Sequence, residues 1–191
     1  MDRTFDNNFI KIGKELSMTA ETIVEYNIDV LIEAGTNSTV SYKYDEIKRA
    51  MVCVEIMDYP FKSHFNFGVI PKTLNPYNSE IDVIIVMDNS LIPGSYINCK
   101  LVGCCEIKNN HTAKKPYLIM CPTEKIDYKF REFNDIGHLD ISIMNKLQYM
   151  LLYRHSLCYS GRVNEMSVEF NDKQMGIKLY ETALKRYGAL I

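Results

Sequence analysis

The 191-residue chain contains no apolar run near the ~18–20 residues needed to cross a bilayer, so no membrane-spanning helix is expected. Its first residues, MDRTFDNNFIKIGKELS, have no long apolar core, which argues against a secretory signal. Charge of either sign is nearly balanced, with 22 Lys+Arg against 24 Asp+Glu and a net of −2. That balance disfavours a general polyanion binder but permits a local basic pocket. The six cysteines (Cys53, Cys99, Cys104, Cys105, Cys121 and Cys158) include no CxxC pair and no zinc spacing. Most lie in apolar, strand-like runs, which reads as reduced core thiols in an intracellular, cytoplasmic protein. Cys104 and Cys105 are neighbours on a strand and face opposite ways, which excludes a vicinal redox pair. Internal repeats and low-complexity segments are also lacking.

What remains is an ordinary globular composition, 47% hydrophobic and 24% charged, long enough for one domain with a sizeable core. Residues 1–25 are polar and weakly patterned and read as an N-terminal extension; residues 26–191 read as the domain. From Tyr26 the pattern turns strand-like. YNIDVLIEAG and STVSYKYD alternate at period two, and AMVCVEIM, IDVIIVMD, SYINCKLVGCCEIK and YLIMCP are further strands, the fifth kinked at Gly103. After residue 130 the period changes. Leu139, Ile143, Leu147 and Leu151 form one helical face with Asp135 as its N-cap, and VNEMSVEFND is an extended link. A second helix carries Met175, Leu179, Ala183 and Tyr187 on one side and stops at Gly188. Strands followed by helices give an α+β fold, a β-barrel with two C-terminal helices packed outside it.

Several segments then recur together: a strand ending in Glu33, the YKYD strand, FNFGVIPKTL, SEIDVIIV, PGSYINCKLVGCCEI and YLIMCP. In this order and spacing the chain resembles the soluble inorganic pyrophosphatases of family I, over roughly residues 28–190. The resemblance implies a small closed OB-like barrel, homo-oligomers, and hydrolysis of pyrophosphate with several Mg²⁺ ions. Hard cations need oxygen ligands, so that chemistry needs many carboxylates. The family's loop of three acids reads here Tyr77-Asn78-Ser79-Glu80-Ile81-Asp82. Tyr77 replaces the first acid, Ser79 replaces the one that positions the attacking water, and only Asp82 remains. Two further acids align with about Asn109 and Lys115, and Glu33 survives at its strand end. On the phosphate side the family's lysine falls at Ser41, its arginine at Glu55, its loop tyrosine at Phe67, and its Tyr-Lys pair at Arg154-His155.

With so many ligands replaced, the expectation is a catalytically inactive relative that serves as a binding or assembly subunit. It would have no cofactor, would associate with itself or a partner protein, and would not associate with membrane. One alternative is an active Mg-dependent inorganic pyrophosphatase cleaving diphosphate to two phosphates, with Glu33 and Asp82 as metal ligands and Asp88, Glu106 or Glu124 as spare acids. A second is a metal-independent binder of phosphate, nucleotide or RNA. The candidate substrate-binding residues are Lys43, Lys72, Lys115, Arg154 and His155, with Lys114 beside them. Lys115 is expected to pair with Asp82 or Glu33, putting an ammonium where the family holds a metal. His64, His111 and His138 show no ligand spacing. Tyr149, Leu152 and Tyr153 read as packing or oligomer contacts.

Overall fold

A computed structural model describes residues 26–57, 62–109, 115–159 and 166–190 of the chain. The N-terminal extension, Lys114 and His111 lie outside these residues. The strands are β1 (Asn27–Ala34), β2 (Val40–Asp45), β3 (Ala50–Ile56), β4 (Asn66–Ile70), β5 (Ile81–Ile85), β6 (Tyr96–Asn109), β7 (Pro116–Pro122) and β8 (Met166–Asn171). The helices are α1 (Ile141–Tyr159) and α2 (Lys173–Gly188).

The main sheet runs β1-β4-β5-β7-β6, and β1 pairs again with β6, closing a five-stranded barrel. β5 and β7 are parallel, while the barrel's other pairings are antiparallel. The apolar alternation of β1 aims Ile28, Val30 and Ile32 inward, with Val30 and Ile32 fully buried. β5 has both faces covered: Val83, Ile84 and Ile85 are wholly buried, each worth about 1.5–3 kcal/mol of transfer free energy. β2 and β3 form a separate hairpin.

The closed barrel with two helices outside it is as expected, and several details differ. VNEMSVEFND is more than a link: its Met166–Asn171 part pairs antiparallel with β6 from Asn109 to Cys104. Asp135 caps a short 3₁₀ turn at Ile136–His138, where its carboxylate accepts from the Gly137 amide and His138 Nδ1 accepts from the Asp135 amide. α1 starts instead at Asp140, whose carboxylate accepts from the Ser142 amide at 2.7 Å. Leu139 therefore precedes the helix, and its buried face is Leu147, Met150, Leu151 and His155. α2, capped by Asp172 at the Met175 amide (2.9 Å), buries Gly176 and Ala183 and leaves Met175 42% exposed. Gly176 allows a close approach there: a Cβ would lie 3.1 Å from Leu101 and 3.3 Å from the Gly103 carbonyl oxygen. Gly188 stays helical, so it is no left-handed stop.

The kink foreseen at Gly103 is a bulge, with register jumping between Leu101 and Gly103 against β7. Cys99, Cys104, Cys105 and Cys121 are buried free thiols; burial pushes Cys104 and Cys121 up to about 12, which keeps them protonated and unreactive. Cys53 departs from the core reading, because it is exposed on the β2–β3 hairpin.

Candidate active site

The connection between β4 and β5 is held from within by side-chain hydrogen bonds. Asn75, 2% exposed, accepts at Oδ1 from the amides of Tyr77 (2.8 Å) and Ser79 (3.3 Å). Its Nδ2 donates to Ser79 Oγ (2.8 Å) and the Glu80 carbonyl (3.2 Å). Thr73 Oγ1 donates to the Ile70 carbonyl and accepts from the Ile81 amide, tying the loop's two ends together. Buried Asn66 accepts from the Thr36 and Leu91 amides and donates to the Asn89 carbonyl, joining three segments at one end of the barrel. These bonds explain FNFGVIPKTLNPYNS as a scaffold. Ser79 belongs to it: its hydroxyl closes the loop on Asn75 and does not line the cleft described next. Asn75→Ala is expected to cost about 2–4 kcal/mol, since several loop polar groups lose their partner at once. Denaturant unfolding measures it; a loss under 1 kcal/mol would show that the loop is ordered by something else.

Beside this loop is a cleft of about 190 Å³ whose wall includes Glu33, Lys43, Asp82, Lys115, Arg154 and His155. The sequence places these on five different segments, and the fold brings them together. Glu33 arrives through a bulge: Ile32 faces Gly68 and Ala34 faces Phe67, so Glu33 has no opposite number on β4. A bulged residue turns its side chain away from the regular pleat. Burial lifts the Glu33 carboxyl to about 7; Lys43 opposes this, and Asp82 and Glu80 add to it. Asp82 is the first outward position of β5 and pairs with Lys115 at 3.0 Å, as expected. The Lys115 ammonium also lies 5.5 Å from the Tyr117 ring centroid. Burial and the Lys115 charge hold His155 below the ordinary imidazole value, favouring the neutral ring near pH 7.

Two contacts here were not foreseen. Arg154 Nη2 pairs with Glu55 Oε2 at 3.1 Å, and the guanidinium lies 4.9 Å from the Phe67 ring centroid. The resemblance aligns Glu55 with an arginine and Phe67 with a tyrosine; in space the Arg154 guanidinium from α1 meets both side chains. The signal was three replacements at positions that the barrel brings together.

Lys72 does not join the cleft. It is exposed at positive φ in the turn after β4, and its backbone amide, not its ammonium, meets the Glu80 carboxylate. The spare acids are elsewhere too: Asp88 pairs with Lys129 and Glu124 with Arg131, and Glu106 is not part of the cleft wall.

A cluster of divalent ions needs several carboxylates converging on one point. Among the described residues no three of His, Cys, Asp and Glu converge. Mg²⁺ demands octahedral oxygen coordination, and the carboxylate of Asp82 already has an ammonium against it. These residues do not build a resident cluster of several ions.

The closed mixed barrel with two outer helices is an OB-like architecture, and it carries a charged cleft beside the β4–β5 loop. The family profile described as inorganic pyrophosphatase matches residues 30–188, and the chain belongs to that family. It is 33% identical over 124 residues to the inorganic pyrophosphatase of Saccharolobus solfataricus, covering 63% of this chain and 69% of that one. It is 28% identical over 158 residues to that of Nanoarchaeum equitans, covering 82% and 94%. The fold is that of the Helicobacter pylori inorganic pyrophosphatase, with a TM-score of 0.75 at 24% identity over 85% of this chain and 94% of that one.

These matches correct the expectation of an inactive binding or assembly subunit. The curated relatives matched over most of their length are named inorganic pyrophosphatases, which favours the active alternative. The expectation went wrong by counting acids at aligned positions. Arg154, Glu55 and Phe67 were read one position at a time, whereas the fold places them in contact.

Proposed function

We propose that this protein hydrolyses inorganic diphosphate to two phosphates in the cleft bounded by β1, β5 and α1. The supporting observation is the convergence of Lys43, Lys115 and Arg154 with Glu33 and Asp82, in a chain of this family. Diphosphate carries several negative charges, and Lys43, Lys115 and Arg154 meet its oxygens with charge-assisted hydrogen bonds. Glu33, with a carboxyl near 7, takes the proton of the attacking water. The water oxygen bonds to one phosphorus as the bridging P–O bond breaks, and the bridging oxygen leaves with the other phosphate. The family resemblance associates this reaction with Mg²⁺, so Mg²⁺ is the first divalent ion to assay.

The test is phosphate release from diphosphate by the full chain with Mg²⁺, Mn²⁺ and Zn²⁺ in turn. Turnover above about 1 s⁻¹ with at least one of them is expected. Release at the buffer rate with all three would overturn the proposal. No helix among the described residues is long and apolar enough to cross a membrane.

A further inference from the structure

Ser41 stands on β2 opposite Glu55 and lines the same cleft as Lys115. It is only 6% exposed, and its hydroxyl has no hydrogen-bond partner among the described residues. A buried hydroxyl left unsatisfied costs free energy that a ligand oxygen would recover. Lys115 is the complementary oddity. Its ammonium pairs with Asp82, and its charge also acts on Glu33 and His155 across the cleft. Both partners of the ion pair keep some solvent exposure, 34% and 21%, so the ammonium is reachable by a ligand while it stays beside Asp82.

We infer that Ser41 and Lys115 form an oxyanion seat that takes one phosphoryl group of diphosphate as the free anion, with the ammonium in place of a divalent ion. The inference rests on the reading of diphosphate as the ligand. In this seat Ser41 Oγ donates to one phosphoryl oxygen and Lys115 Nζ to another, while Arg154, fixed by Glu55 and Phe67, is placed for the second phosphoryl group. The charge accounting agrees. Glu33, Asp82 and Glu55 are matched in number by Lys43, Lys115 and Arg154 around the cleft.

The experiment is calorimetric titration of the full chain with sodium pyrophosphate in excess EDTA. Saturable binding is expected in wild type. Lys115→Gln should weaken it at least tenfold and Ser41→Ala about threefold to tenfold, whereas Lys115→Arg should stay within about threefold of wild type. Thermal melts of the ligand-free variants identify any that fail to fold, and Lys115→Arg and Ser41→Ala carry the test if Lys115→Gln does. Binding seen only with Mg²⁺, or unweakened by both Lys115→Gln and Ser41→Ala, overturns the seat. Phosphate release with Mg²⁺ alongside no binding in EDTA removes this inference and leaves the hydrolase reading standing. Binding in EDTA that depends on Lys115, without release under any divalent ion, supports the seat and removes hydrolysis.

Discussion

Glu33→Gln is expected to lower kcat for diphosphate by about 10²–10⁴-fold while making the folded protein more stable at alkaline pH. Both effects come from one cause. The bulge in β1 puts the carboxyl in a sheltered position, and burial raises it from its ordinary value near 4.5 to about 7. Between those two values the folded state holds a proton that the unfolded chain has released. Stability from this group is therefore fully present below about 4.5 and falls as pH rises through about 7. Glutamine carries no such charge. Its advantage should be close to zero at pH 4.5 and reach about 1–2 kcal/mol at pH 8, after allowance for partial solvent screening. Denaturant unfolding of both proteins in EDTA at the two pH values, with phosphate release measured alongside, checks it. An equal stability difference at both pH values would mean that Glu33 is not held in this state, and full activity in the variant would remove it as the base.

Gly68→Ala should be the most damaging small change in the barrel, costing about 3 kcal/mol or more. A Cβ at this position would lie 2.3 Å from the Leu31 carbonyl oxygen and 2.8 Å from Val30 Cγ1. The first of these is backbone, so relief requires β1 and β4 to separate where the bulge aims Glu33. Loss of stability and loss of turnover should therefore appear together. Gly188→Ala is the matched control, because its Cβ would meet nothing within 4 Å and the position is helical. That change should be neutral or stabilising by up to about 1 kcal/mol. Chemical denaturation of the pair decides the point; equal midpoints would mean that the strands yield more easily than their contact distance implies.

Much of the fold was legible because local sequence and burial agree. β5 is a run of Ile and Val with both faces covered, and β1 alternates as a barrel strand should. β8 was not legible as a sheet member. Its residues are mostly half-buried or exposed, and its identity depends on β6, whose paired residues lie about 60 positions away in the chain. The helix start was misplaced because Asp135 and Asp140 are both good caps, and only the three-dimensional path shows that a 3₁₀ turn separates them. At the site, Glu33, Asp82, Lys43, Lys115, Arg154 and His155 were named from sequence and do meet. Lys72 does not, because the turn after β4 directs its amide rather than its side chain toward the loop. Asn75 was missed as the loop's organiser. Its signal was present: an Asn followed by Pro and a polar tract is Asx-turn chemistry, in which a side-chain carbonyl takes the part of a backbone one.

The parallel pairing of β5 with β7 has a topological result that reaches the chemistry. In an antiparallel pair the beginning of one strand lies beside the end of its neighbour. Here, Asp82 stands across from Tyr117, so two strand beginnings share one lip of the barrel. Glu80 and Lys115, each just before its strand, stand at that lip from separate parts of the chain. Opposite charges placed at two entrances become near neighbours without either strand bending to reach the other. The acid and the base are thus set side by side by the way the sheet is wound.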